Sequence, residues 1–351
     1  LLAAPEVDAL ITLYIPVGLA PTEEVAAAIR DGVAEGRRRG GQDKPVYACF
    51  MAEHGMTTPL ARGEETIPSY RFPEAAARAL AHVARYARWR RRPPGMVPDF
   101  DDVDPAAARR VCRDVLGRRG GGWLLPEEVR EVLASFRLPV IRQAVARTEE
   151  EAVEAARAVG FPAVAKLASR TIVHKTELGG VRLGLGSAEE VREAFRGIRE
   201  ELARRGRLDE LDGVLVQEQV RGGVELLAGV THDPAFGPLV AFGLGGIHVE
   251  VLRDVAFRVT PLTDADARDM IREIRGFPLL AGYRGHPPAD LDAVEDVLLR
   301  LSALAESVPE ISEVEMNPLM ALEPGRGCRV VDARIRVGGG MKGERSDTIV
   351  I

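Results

Sequence analysis

Short apolar runs of strand length alternate with amphipathic stretches through the first ninety or so residues. Ala9 to Ile15 is one such run, closed by Pro16, and Pro45 to Met51 (PVYACFM) is another. Between them the spacing predicts a helix from Thr22 to about Arg38. A short strand is expected near Ile67 to Tyr70, then a helix from Pro73 to about Arg90. Buried strands separated by helices imply a parallel sheet covered on both faces. Two or three strands make only the end of an open α/β domain.

The pattern then breaks. From about Arg91 to Gly122 the chain holds Pro93-Pro94, an acidic patch (Asp99, Asp101, Asp102, Asp104) and Gly120-Gly121-Gly122, which reads as a linker with one short helix from Pro105 to Leu116. Beyond Trp123 the helix starts are explicit. Pro126 precedes Glu127 and Glu128, and both Thr148 with Glu151 and Ser187 with Glu190 have capping-box spacing. Gly160 and Pro162 end the helix that Thr148 begins. Runs of β type lie between and after these helices: Ala163 to Ala168, Gly213 to Val220, Val224 to Val230, Leu239 to Phe242, Val314 to Ala321 and Arg329 to Ala333. Their irregular spacing suggests α+β lobes rather than a second doubly wound sheet.

Composition adds limits. The 351 residues are 46% hydrophobic and 28% charged, an ordinary globular balance long enough for two domains. A formal net charge of −6 argues against a general binder of nucleic acid or anionic membrane. The basic run Arg88 to Arg92 reads as a solvated face. Cys49, Cys112 and Cys328 are far apart and odd in number, as expected of thiols in a reducing cytoplasm. No apolar run reaches membrane-spanning length. The chain opens on Leu1-Leu2, which looks like an internal start.

Some polar residues fall where burial makes them costly. Lys166 sits inside AVAKLA, so it either meets an anion or snorkels to an edge. After it comes SRTIVHKTELGGV, in which Gly179 and Gly180 let the backbone approach a polyphosphate. His174 in the same stretch suits acceptance of a phosphoryl group, although loop histidines are commonly inert. Glu218 to Val220 could read adenine from a strand end, or Glu218 could face solvent; Glu225 carries the same ambiguity. The turn GLGG at Gly243 to Gly246 is a weak signal alone. EMNPLMAL (Glu315 to Leu322) and VVDAR (Val330 to Arg334) form the strongest signal, because paired strands would gather Glu315, Asn317 and Asp332 at one end. Two carboxylates and an amide oxygen are the hard ligands that magnesium takes; solvated strand-end residues are the alternative.

In this order, KLASRTIVHKTELGGV, VQEQVRGGVELLAGVTHDPAFGPLVAFGLGGIHVEVLRD, SEVEMNPL and VVDARI resemble the ATP-grasp domain of the ADP-forming acyl-CoA synthetases, relatives of succinyl-CoA synthetase. DALITLYIP, KPVYACF and IPSYRFPEAAARALAHVARYARW resemble the end of their flavodoxin-like CoA-ligase domain. The resemblance implies a partial flavodoxin-like parallel-sheet domain over 1–92, a linker over 93–122 and a two-lobed α+β ATP-grasp domain over 123–351. It implies Lys166 on ATP phosphates, Glu218 and Val220 at the adenine hinge, and Glu225 near the ribose or lid. It further implies Asn317 and Asp332 on Mg2+ with Glu315 beside them, and His174 relaying phosphate to ADP. HKTE at His174 to Glu177 stands where the family usually has Ser then Asp, a mild change.

What the resemblance implies for the reaction is acyl-CoA + ADP + phosphate ⇌ acid + CoA + ATP through phosphohistidine. The CoA-binding Rossmann domain and the motif of the first phosphorylated histidine do not appear in the sequence. The expectation is therefore a cytoplasmic, oligomeric ligase whose CoA-binding domain or subunit is supplied upstream or in trans. Two rivals are another ATP-grasp ligase, which would need neither His174 nor the N-terminal stretch, and a nucleotide-binding regulatory module of a fused acyltransferase.

Overall fold

The computed structural model describes residues 1–17, 21–41, 43–51, 60–62, 65–169, 171–172, 178–246, 254–285 and 287–338. They divide into two compact units, Leu1–Pro93 and Pro94–Ile351.

In the first unit, strands β1 (Leu10–Tyr14), β2 (Val46–Phe50) and β5 (Ser69–Tyr70) form a parallel sheet in the order β1-β2-β5. Helix α1 (Thr22–Arg38) supplies the crossover from β1 to β2, and α2 (Pro73–Arg91) follows β5. All five residues of β2 are buried, as the middle strand of a parallel sheet requires. The expected strand near Ile67 to Tyr70 is divided: β3 (Leu60–Arg62) pairs with β4 (Glu65–Ile67), and β5 begins only after Pro68. Pro68 has no N–H to give a ladder, yet its carbonyl accepts from Ala48 N.

The second unit holds two antiparallel sheets. The smaller has the order β7-β10-β8-β9, from β7 (Gln143–Ala146), β8 (Ala163–Ala168), β9 (Val181–Leu185) and β10 (Gly213–Glu218). Helices α5 (Glu149–Val159) and α6 (Ala188–Arg204) cover one of its faces, packing Val153, Ala156, Phe195 and Ile198 on Ala165, Leu167, Val214 and Val216. Both helices are capped as their sequences imply: Thr148 accepts from Glu151 N and Ser187 from Glu190 N. The reciprocal bonds fall one residue earlier than a capping box places them, on Arg147 N and Gly186 N.

The larger sheet runs β13-β12-β11-β14-β16-β6, with a seventh strand, β15, pairing with β14 beside that path. Its strands are β6 (Gly122–Trp123), β11 (Val224–Asp233), β12 (Gly237–Leu244), β13 (Val255–Val259), β14 (Ile311–Ala321), β15 (Cys328–Val330) and β16 (Ala333–Val337). Four helices bury its apolar face: α3 (Pro105–Arg119), α4 (Pro126–Ser135), α7 (Asp264–Glu273) and α9 (Leu291–Ser307); the short α8 (Phe277–Leu280) follows α7. Helix α3 falls within the stretch expected as linker. Its Ala108, Cys112 and Val115, one stripe at i, i+4 and i+7, are fully buried in this core. Among the described residues no helix is long and apolar enough to cross a membrane.

Candidate functional site

Strand alternation decides which side chains of the small sheet can meet the large one. Lys166 lies opposite Leu215, and Gln217 lies opposite both Val164 and Gln143, so Lys166, Leu215, Gln217 and Gln143 share the face turned away from the helices. That face borders a cleft whose walls include Gln143 and Leu215 from the small sheet and Val330, Val331, Asp332 and Ala333 from the large one. Lys166 is 8% exposed, and its Nζ stands 3.4 Å from Asp332 Oδ2 across the cleft. A lysine so withdrawn needs an anionic partner, and this one is borrowed from another sheet.

Asp332 reaches the cleft because the ladder is interrupted there. The sequence suggests one strand from Arg329 to Ala333, but the structure ends β15 at Val330 and begins β16 at Ala333. In the gap Val331 N donates to Pro318 O, and Asp332 O accepts from Asn317 N at 3.0 Å. Asn317, whose bond to Pro318 is cis, is thereby held beside Asp332. Its Oδ1 accepts from Gly246 N at 3.3 Å, and its Nδ2 lies 3.5 Å from Glu315 Oε1. Glu315 is 8% exposed, and its Oε2 has no hydrogen-bond partner. Burial pushes its carboxyl above the ordinary range; Arg334 and the Asn317 amide pull the other way, while Glu313 and Asp332 add to the rise.

The GLGG turn belongs to this cluster. Gly245 N donates to Glu225 O, and a Cβ on Gly245 would stand 2.7 Å from the Leu226 backbone. Gly246 has φ +61, and a Cβ there would lie 2.5 Å from Glu225 Oε2. Backbone approach, rather than a nucleotide fingerprint, explains the glycines. Lys166, Asp332, Asn317, Glu315, Gly246 and Glu225 thus form one connected group. Gly180 adjoins it, since its carbonyl accepts from Leu167 N, next to Lys166; Gly179, at φ +63, precedes it.

Other expected residues stand apart. Glu218 lies opposite Ala163, on the alternation opposite to Lys166, and its carboxylate grips Arg142 at 2.8 and 2.9 Å. Val220 follows in the half-buried loop after β10. His174 falls within 173–177, outside the described residues. The chain enters that stretch from Ile172, buried in the small-sheet core, and leaves it at Leu178, packed on the same core. Just before it, the Thr171 hydroxyl donates to Glu210, whose carboxyl is held down at about 2 by Arg207 and then by Thr171.

Two features escaped sequence reasoning. Gln217 is 1% exposed with an unpartnered Oε1 on the Lys166 face. Arg334, opposite Glu315, lays its guanidinium 4.3 Å from the centroid of the Trp123 ring. Either could have been flagged only with the strand register in hand. Among the described residues no three His, Cys, Asp or Glu side chains gather to hold a metal; the cluster here has two carboxylates and an amide.

Residues 116–337 match the ATP-grasp domain family. The acetate–CoA ligase [ADP-forming] I subunit beta of Pyrococcus furiosus is 44% identical over 60% of this chain and 90% of its own length. The chain belongs to the ADP-forming acyl-CoA synthetase family and carries its ATP-grasp domain. The 4-hydroxybutyrate–CoA ligase [ADP-forming] of Nitrosopumilus maritimus is 36% identical over 94% of this chain but only 46% of that protein, so the chain spans under half the length of this relative. A dinucleotide forming acetyl-coenzyme A synthetase of Ca. Korarchaeum cryptofilum matches at 43% identity and TM-score 0.63, over 66% of this chain and all of that one, in complex with coenzyme A, Ca-AMPCP and HgCl+. A second structure of it, at TM-score 0.58, holds coenzyme A and Mg-AMPPCP, with a phosphohistidine segment pointing towards the nucleotide binding site.

Proposed function

We propose that this chain performs the nucleotide half of an ADP-forming acid–CoA ligase reaction: phosphohistidine plus ADP gives histidine plus ATP. The observation that carries the reading is the meeting of Lys166 and Asp332 from two different sheets, with Asn317 hydrogen-bonded beside them. In the synthesis direction a β-phosphate oxygen of ADP attacks phosphorus, the N–P bond to His174 breaks, and the imidazole keeps the electron pair. Lys166 would exchange Asp332 for the transferring phosphate and hold it in line. The buried face around Leu215 excludes water, and Gln217 offers its unpartnered Oε1 to a base amino group. The backbone of Glu218 to Val220 would complete that pocket, and Glu225 would border the ribose.

Asn317 and Asp332 are oxygen donors of the kind Mg2+ takes, and the orphaned Glu315 Oε2 beside them supports a site that takes further partners. Asn317 and Asp332 would hold the ion, with Glu315 behind them. Magnesium, when bound, supplies charge that offsets the phosphate oxygens. A CoA-binding partner, upstream or in trans, would supply the phosphoryl donor, as the name of the beta-subunit relative suggests. The protein is expected to work in the cytoplasm.

The test runs the relay backwards. The chain incubated with Mg-ATP labelled on the γ-phosphate should acquire an acid-labile, base-stable phosphoryl group. His174→Ala should abolish it, variants of His82 and His232 should retain it, and ADP should discharge it as ATP. Tight Mg-ATP binding without label, even with the CoA-binding partner present, would overturn the relay.

A further inference from the structure

The polar face of the large sheet carries one more arrangement, and it leads back to Asn317. Opposite residues on paired antiparallel strands bring their Cβ atoms to about 5 Å. Register places Arg334 opposite Glu315. Glu315 spans two roles: Oε1 faces the Asn317 amide nitrogen at 3.5 Å, while Oε2 is buried without a partner. A carboxylate withdrawn to 8% exposure is costly with one oxygen unmet. The cation within reach is Arg334, yet its guanidinium rests on the Trp123 ring, 4.3 Å from the centroid. Trp123 belongs to β6, the neighbour of β16, so the same face holds a donor, an unmet acceptor and a resting place for the donor.

An amide side chain presents oxygen to a metal reliably only if something fixes its flip. Two contacts do that: Gly246 N donates to Oδ1 at 3.3 Å, and Nδ2 donates to Glu315 Oε1 at 3.5 Å. Partners behind a ligand commonly set its orientation in this manner. The Glu315 carboxyl is in turn held through Oε1 alone, with Oε2 unmet.

We propose that Arg334 is a positioning residue of the metal–nucleotide site, leaving Trp123 for Oε2 of Glu315 when Mg-ADP binds and so fixing the Asn317 amide through Glu315. The inference rests on the reading of Asn317 and Asp332 as the metal-holding pair. Arg334 does not touch the nucleotide. It acts through two side chains, and Trp123 loses its cation as it does so.

That loss is visible. The chain has two tryptophans, and Trp89 lies on α2, so W89F leaves Trp123 as the single reporter. Titration with Mg-ADP, followed by both calorimetry and Trp123 fluorescence, should give a spectral change that saturates with the heat. R334Q should bind ADP without metal as the parent does but lose about 10–100-fold of the metal-dependent affinity, with no spectral change. R334K keeps charge without the planar fork, and should recover part of the affinity while resting less well on the ring. If W89F binds Mg-ADP by calorimetry while Trp123 emission stays constant, or if R334Q retains the full metal-dependent gain, Arg334 does not position the site and the Asn317–Asp332 reading stands alone. If W89F gives no heat with Mg-ADP, the metal-site reading fails and takes this inference with it.

Discussion

The two sheets of the second unit meet the same constraint with opposite chemistry. Each buries one apolar face under helices. Each also places polar groups on its other face, some of them buried. The small sheet offers Lys166 and Gln217. The large sheet offers Glu313 and Glu315, alternating with core residues Val314 and Met316, and then Asn317 and the gap residue Asp332. A cation on one wall and carboxylates on the other are each expensive to withdraw. Meeting at 3.4 Å, Lys166 and Asp332 relieve part of that cost, yet such pairs are weak evidence of stability. They are better evidence of a site, and the asymmetry fits the proposed ligand, whose anionic part would face the lysine and whose metal would face the carboxylates.

The comparison breaks most severely on the large sheet. Asp332→Ala should remove nearly all Mg2+-dependent tightening of ADP binding, at least ~100-fold, because a charged ligand goes rather than a supporting group. The variant also strips the buried Lys166 of its carboxylate, so the melting temperature should fall as well, and the metal dependence is to be read on folded protein. Calorimetry with and without Mg2+ measures the effect directly; equal metal dependence in variant and parent would refute the assignment. On the small sheet, Lys166→Met should cost about 1.5–3 kcal/mol of nucleotide affinity, the worth of a hydrogen bond to a charged group. Stability should hold or rise slightly, since a buried charge is replaced by an apolar chain of similar length. Unchanged affinity would leave Lys166 a structural partner of Asp332. Smaller still is Gly246→Ala. At φ +61 alanine is strained by about 1 kcal/mol, whereas the close Glu225 Oε2 belongs to an exposed, movable side chain. Denaturant midpoints should register that loss, and ADP affinity should fall only modestly through the displaced Asn317 contact.

How much of this was legible follows from how local each signal is. The caps at Thr148 and Ser187 bind backbone three residues away, so their sequence spacing is nearly their structure. The helix from Pro105 was equally local and was expected, but flanking prolines, aspartates and glycines placed it in a linker, whereas its stripe Ala108, Cys112 and Val115 belongs to the core. Pro68 and Val331-Asp332 interrupt runs that look continuous, because apolar content does not reveal where a ladder lets go. Glu218 and Gln217 are the sharpest case. Adjacent in sequence, they fall on opposite alternations, and only the pairing of Gln217 with Val164 shows which shares a face with Lys166. The meeting of Asn317, Asp332 and Glu315 was readable because one strand and the hairpin partner that returns beside it supply all three. Arg334 on Trp123 was not, since β6 and β16 meet only through the fold.

Gln217 gives the mildest and most discriminating test of the comparison. It occupies the small-sheet wall as Glu315 occupies the large one: almost fully buried, with one oxygen unmet. Being neutral, it carries a desolvation cost without a charge, and an unmet amide oxygen costs about 1–3 kcal/mol in a buried setting. Gln217→Leu removes that cost, fits a similar volume and adds an apolar neighbour for Leu215 and Val164. Net stability should therefore rise, by up to the ~1–3 kcal/mol removed, in contrast to truncations in the helix-backed core, which typically cost ~2–5 kcal/mol. If Oε1 is instead reserved for a base amino group, the same variant should bind ATP more weakly while GTP, whose base presents a carbonyl at that edge, is unaffected or gains. The ratio of the two affinities is then the quantity to follow, because a fold defect would move both together. A parallel loss for ATP and GTP, or no loss for either, would return Gln217 to the role of a merely tolerated polar residue in the wall.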